Sequence, residues 1–282
     1  MTARLRVVHT TGFTYTEPVT LSYNETRLTP RNDGHQSIVV EHVDTTPAAR
    51  HYRYTDYWGT QVVSFDLHGA HDRLEITGTA VVETEPATRP TEWLDTTWEQ
   101  LRSAPILDEF DEMLTATPYA PHTGKLTKFA AKAAGDLPPT IAAEVVVAAV
   151  HDEMTYMPGT TEVHSTAADA WKHRSGVCQD YAHITLAMLR SLGIPARYVS
   201  GYLHPKADAE VGETVDGESH AWVEVWTGGW WGVDPTNDKL VSDHHIVIGT
   251  GRDYTDVPPV KGIYTGGAGS ELDVSVRITR LA

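Results

Sequence analysis

Disulfides, membrane spans and an excess of basic residues are all missing from this sequence. Only one cysteine, Cys178, occurs in 282 residues. No internal disulfide can form, so nothing calls for an oxidising compartment. No apolar run approaches the ~20 residues of a membrane-spanning helix. Residues 1–17 contain no apolar core of a secretory signal. A cytoplasmic protein is expected. Lys and Arg number 22 against 38 Asp and Glu, a net charge of −16. That balance argues against nucleic acid or an anionic membrane surface as a partner, because neither meets the cations it needs. No glycine-rich loop cradles a phosphate, since Thr265-Gly266-Gly267-Ala268-Gly269 lacks the following Lys-Ser/Thr. His183 lies near Cys178, but a second cysteine and a close-spaced ligand pair are both absent, so no structural zinc is expected. Asp208, Glu210, Glu213, Asp216 and Glu218 lack the ordered alternation of a calcium loop. No metal and no other cofactor is therefore expected. The 15 histidines are scattered, and His244-His245 is their only adjacent pair.

What is present divides into two patterns. The first third carries short β-branched and aromatic runs: Leu5–Val8, Phe13–Tyr15, Ile38–Val40, Tyr52–Tyr54, Val62–Leu67, Leu74–Ile76 and Ala80–Val82. Turn residues separate them, which predicts an antiparallel β-sandwich-like domain. The stretch Glu85-Pro86-Ala87-Thr88-Arg89-Pro90 predicts a linker. Beyond it the apolar spacing turns helical over Trp98–Arg102, Leu126–Ala134, Ile141–Met154 and Cys178–Leu192. Pro138-Pro139 suits a helix start and Gly193 a helix end. Ala196–Leu203, Ser219–Trp226 and Trp230–Asp234 read as strands, and Pro205–Glu218 as a loop. Leu272, Val274, Val276 and Ile278 alternate with polar residues in a final strand. The fold class is α+β, with expected boundaries at 1–88, 89–250 and 251–282. Trp171 is expected in the core.

Cys178 is expected to begin a helix, with Ser175 or Gly176 as N-cap. Free backbone N–H groups and the helix dipole there favour a thiolate and can hold an oxyanion. Asp180 favours the same helix start through the dipole. A thiolate nucleophile needs a base, and the base an orienting group. His220 and Asp234 lie on the two strands of one predicted hairpin. If its loop is the three residues Thr227-Gly228-Gly229, paired numbers sum to 456. His220 and Asp234 are then diagonal neighbours on one face, ~7–8 Å apart along the backbone. A two-residue loop would put them on opposite faces. Trp222 shares the face of His220 and is expected to shield it and to bind substrate. Tyr156, in Met154-Thr155-Tyr156-Met157-Pro158-Gly159, is expected to line the cleft or to donate to an oxyanion.

Four segments, in this order, resemble the transglutaminase-like superfamily, whose core is papain-like: Ser175-Gly176-Val177-Cys178-Gln179-Asp180-Tyr181-Ala182-His183, Leu189 to Tyr202, His220-Ala221-Trp222, and Asp234-Pro235-Thr236-Asn237. Leu21-Ser22-Tyr23-Asn24-Glu25-Thr26-Arg27-Leu28-Thr29-Pro30 resembles the amino-terminal β domain of bacterial transglutaminase-like proteins, and Gly251 to Gly262 their carboxyl-terminal segment. The resemblance implies Cys178 as nucleophile, His220 as acid/base and Asp234 as orienter. It implies a cysteine protease, peptidase or amidase acting on a protein or peptide substrate. The alternatives are a true protein-glutamine gamma-glutamyltransferase and a non-enzymatic binding protein on the same fold.

Overall fold

The computed structural model describes residues 2–86, 89, 91–206, 209–267 and 269–282. Ala87, Thr88 and Pro90 of the expected linker lie outside the described residues, as do Asp208 and Ala268. Five antiparallel strands come first: β1 (Ala3–Thr26), β2 (Gln36–Thr46), β3 (Tyr52–Thr55), β4 (Gln61–Leu67) and β5 (His71–Thr84). The expected strands Leu5–Val8 and Phe13–Tyr15 are parts of the single 24-residue β1. Its inward row runs from Ala3, Leu5 and Val7 on to His9 and Thr11, all buried. In sequence those two polar residues look like a break. In the sheet they are satisfied: His9 Nδ1 lies 2.9 Å from the Tyr202 hydroxyl, and His9 Nε2 lies 3.1 Å from Thr11 Oγ1.

Helices follow at α1 (Trp98–Leu101), α2 (Ala104–Glu109), α3 (Asp111–Leu114), α4 (Gly124–Ala134) and α5 (Pro139–Glu153). Pro138 caps α5 and Pro139 opens it, where a missing N–H costs nothing. Then come β6 (Thr155–Tyr156), α6 (Ala167–His173), β7 (Ser175–Gly176) and α7 (Cys178–Ser191). Gly193, at φ +82°, closes α7, with its N–H donating to the Arg190 carbonyl. The last strands are β8 (Ala196–Leu203), β9 (Thr214–Trp226), β10 (Trp230–Asp234), β11 (Lys239–Leu240), β12 (His245–Gly251), β13 (Val260–Gly266) and β14 (Ser270–Arg280).

Among the described residues, twelve of these strands form one hydrogen-bonded network; β6 and β7 pair separately. β8 lies between β9 and β12, and β10 lies beside β9. α7 is the central helix: Ile184, Leu186, Ala187, Met188 and Leu189 are fully buried against Val146, Val150, Val223 and Val225. Trp171 belongs to this core. A second core joins the two ends of the chain, with Leu5, Val7, Val82 and Ile278 against Tyr202, Ile246 and Ile248.

The loop placed at 205–218 ends at Glu213, because β9 begins at Thr214 and pairs with β14 from Thr214↔Thr279 to Gly217↔Val276. In β14 the apolar row is only half inward. Val276 and Ile278 are buried, whereas Leu272 and Val274 are 61% and 46% exposed, because the core of Tyr202, Ile246 and Ile248 takes in only the carboxyl-terminal part of the row. No helix among the described residues is long and apolar enough to cross a membrane.

Candidate active site

The N-cap of α7 is Val177, not Ser175 or Gly176. Valine has no side-chain acceptor, so the cap is made from the other side. Asp180 reaches back, and its Oδ2 accepts the Val177 N–H at 2.8 Å and the Thr161 hydroxyl at 2.7 Å. Gly176 leaves the necessary space, since a Cβ there would lie 2.5 Å from that oxygen. Burial raises the Asp180 pKa, and the two hydrogen bonds oppose the rise. Cys178 is thus the first residue of the helix and only partly buried. The amides of Cys178 and Gln179 are among those with no acceptor one turn back.

β6 runs parallel to β7 and pairs Tyr156 with Gly176. This brings Tyr156 to the cleft that holds Cys178. Its hydroxyl donates to Glu218 Oε2 over a long 3.4 Å. Burial first, then the neighbouring Cys178 and Glu218, push the Tyr156 pKa up to about 12. The cleft, about 410 Å³, is lined by Cys178 and Gln179 on one side and by Glu218, Ser219 and His220 on another.

β9 and β10 pair Trp226 with Trp230 and Val223 with Val233. Those numbers sum to 456, the register a three-residue loop requires, and Gly228 holds φ +100° in that loop. His220 and Asp234 consequently meet: His220 Nε2 donates to Asp234 Oδ2 at 2.8 Å, with Asp234 completely buried. The other ring nitrogen, Nδ1, takes no part in that bond, and His220 lines the same cleft as Cys178. Burial alone would lower the His220 pKa. The hydrogen bond to Asp234 and the charges of Asp234 and the neighbouring Cys178 outweigh it and hold the value at about 9. Burial likewise works against the Asp234 carboxylate, but hydrogen bonds from His220, His245 and Asn237 keep its pKa well below the ordinary range. Cys178, His220 and Asp234 are therefore brought together, with Tyr156 at the rim.

Trp222 is placed differently from expectation. It is fully buried and does not line the cleft, so it cannot touch substrate. It stacks behind the His220 imidazole at 6.0 Å between ring centroids and an interplanar angle of 29°. Gly201, paired with His220 across β8 and β9, makes this possible. A Cβ on Gly201 would lie 2.5 Å from the Trp222 ring and 2.1 Å from the Ile246 carbonyl oxygen. Gly201→Ala is expected to destabilise the protein by about 1–3 kcal/mol, as overpacked cores do. Urea unfolding checks this, and a change below about 0.5 kcal/mol would contradict it.

Sequence reasoning missed His245. It reaches Asp234 Oδ2 through Nε2 at 3.3 Å. The only signal was the His244-His245 pair at the start of an apolar run, which names no partner. His220, Asp234 and His245 bring ligand atoms within 4.8 Å of one another. A cation shared there would have to displace the two N–H groups that now point at the carboxylate. The set fits a hydrogen-bond relay better than a metal centre.

Residues 127–235 match the transglutaminase-like superfamily, and residues 5–83 match the bacterial transglutaminase-like N-terminal region. An uncharacterized protein of Mycobacterium leprae is 50% identical over 279 residues, covering 99% of both chains. A protein-glutamine gamma-glutamyltransferase of Pseudomonas aeruginosa is 38% identical over 97 residues, which are 30% of this chain and 14% of that protein. The crystal structure of "a Putative Cysteine Protease from Cytophaga hutchinsonii" superposes with a TM-score of 0.76 at 20% identity, covering 99% of this chain and 98% of that one. At that identity the likeness concerns the fold.

Proposed function

This chain belongs to the transglutaminase-like superfamily, and from that premise we propose that it is a cysteine-dependent hydrolase of peptide or carboxamide bonds. Cys178 is the nucleophile, His220 the acid/base and Asp234 the orienting carboxylate. One observation carries this reading: His220 is hydrogen-bonded to a fully buried Asp234 and lines the same cleft as Cys178, whose charge helps to raise the histidine's pKa. The thiol proton passes to His220 Nδ1, and Sγ adds to the carbonyl carbon. The Cys178 N–H, at the first position of the helix, holds the developing oxyanion. His220 returns its proton to the leaving amine, the C–N bond breaks, and a thioester remains. Water, deprotonated by His220, then attacks the thioester to give the acid and the free thiol. If a primary amine attacks instead, the same steps give transamidation.

The substrate we propose is a protein or peptide with a neutral or cationic side chain beside the scissile bond. Pro158, Pro259, Val274 and Val276 give the cleft an apolar wall. Among its described lining residues Glu218 is the only Asp, Glu, Lys or Arg. A peptide library assayed with and without a labelled primary amine tests the proposal, with Cys178→Ala as control. Ammonia or peptide release without amine incorporation is expected. Incorporation outrunning hydrolysis would make the protein a transferase, and turnover by Cys178→Ala would end the proposal. Glu218→Gln is expected to lower kcat/KM for cationic peptides about tenfold and to leave neutral ones within twofold, a loss of the order of one ion pair.

A further inference from the structure

His245 opens β12, and its side chain is completely buried. Its Nδ1 accepts the backbone N–H of Ser242 at 3.2 Å. The imidazole proton therefore sits on Nε2, and Nε2 is the atom facing Asp234 Oδ2 at 3.3 Å. That oxygen also accepts from His220 Nε2 at 2.8 Å and from Asn237 Nδ2 at 2.7 Å. Oδ1 accepts the backbone N–H groups of Thr236 at 2.9 Å and Asn237 at 3.2 Å. Two histidines thus share one carboxylate oxygen, with their ring centroids 6.2 Å apart.

We infer that His245 is a positioning residue for this site: through Nε2 it holds the Asp234 carboxylate toward His220, which in turn faces Cys178. The inference rests on the proposed roles of those three residues. The two histidines have different work because their surroundings differ. His220 borders the cleft that Cys178 also lines. His245 has no such outlet. Burial, the charge of His220 and that of Lys239 favour its neutral form, against the pull of Asp234. On its far side is a cavity of about 60 Å³, where Asp33, Glu85, Arg89 and Glu224 are the charged lining residues. Trp222 closes the remaining approach, edge-on at 5.2 Å. A neutral N–H donor fixes the carboxylate without adding a second positive charge beside His220. It also draws on the carboxylate's negative charge, so Asp234 binds the His220 proton less tightly than it would alone.

Two substitutions divide the histidine's two bonds. In His245→Asn the side-chain oxygen can still accept from Ser242, but the donor to Asp234 is lost. In His245→Gln the longer amide still reaches Asp234 as a donor. The measurement is the rate of Cys178 alkylation by iodoacetamide as a function of pH, which needs no substrate. In the wild type the upper inflection of that profile is expected near pH 9 and should follow His220. His245→Asn is expected to move it upward by about half a pH unit or more and to slow the reaction several-fold. His245→Gln is expected to restore the wild-type profile. If Asn behaves as wild type, or Gln is as perturbed as Asn, the positioning role is overturned even if both variants lose stability. Imidazole nitrogen shifts of the wild-type protein test the same point without any variant: the Nε2–H tautomer at His245 is expected, and the Nδ1–H tautomer would overturn the inference. A His220→Ala variant separates the two levels. If it leaves the profile unchanged, the proposed roles of Cys178 and His220 fail first.

Discussion

Cys178→Ala is expected to remove turnover down to the uncatalysed background, a loss of roughly 10⁴-fold or more, while the fold survives. Everything proposed for the reaction passes through the Sγ–carbonyl bond, and no other thiol exists in the chain to replace it. The fold should tolerate the change because Cys178 is only partly buried at the first position of α7. Alanine is the best helix former, and the cap is made by Asp180 and Val177 rather than by the cysteine. A stability change within about 1 kcal/mol is expected. Activity on a substrate from the peptide screen, read beside a thermal melt, checks both halves. Retained turnover would remove Cys178 from the mechanism. Collapse of the fold would show that the thiol is a core residue.

Asp234 is the second position where a large effect is expected, and it couples catalysis to stability. Both carboxylate oxygens accept only: Oδ1 from two backbone N–H groups, Oδ2 from three side chains. Asparagine cannot satisfy this site in either orientation, because its NH₂ would face donors on both sides. Asp234→Asn and Asp234→Ala are therefore both expected to destabilise, the alanine by about 3–5 kcal/mol, since it leaves buried donors unpaired. Both should also lower turnover by orders of magnitude through loss of His220 orientation. The pH dependence has a definite sign. The folded His220 pKa is raised from its ordinary 6.5 to about 9. Its stabilisation is fully present below pH 6.5 and is lost as pH rises toward 9. The folded Asp234 pKa is lowered from its ordinary 3.8. Its stabilisation is present above that value and is lost as pH falls. Wild-type thermal stability should fall between about pH 6.5 and 9 as His220 loses its proton, and in Asp234→Ala that fall should be clearly smaller. Equal alkaline slopes in the two proteins would contradict the ion pair.

The features that sequence makes legible here are local. The loop Thr227-Gly228-Gly229 sets the β9–β10 register, and that register brings His220 to Asp234. Gly193 and Pro139 mark helix ends by backbone chemistry alone. The α+β class follows from the change of apolar period along the chain. What stays hidden depends on contacts between distant segments. β1 looks broken at His9 until Tyr202, nearly two hundred residues later, satisfies it. The cap of α7 looks like Ser175 or Gly176 because a cap is read from the residue before a helix, whereas Asp180 supplies this one from inside. Trp222 shares the face of His220, as strand alternation requires, but only Gly201 on the neighbouring strand shows that it lies behind the imidazole and not in the cleft. His245 reaches Asp234 through the fold of β12 against β8, a placement no spacing rule encodes.

The most direct test of the central claim is alkylation of the native protein. Brief treatment with iodoacetamide near pH 6, followed by intact mass and peptide mapping, should place one carbamidomethyl group on Cys178. His220→Ala should slow that labelling at least tenfold under the same conditions. Labelling of Cys178 only after denaturation, or at equal rates with and without His220, would contradict the claim that Cys178 is an activated nucleophile.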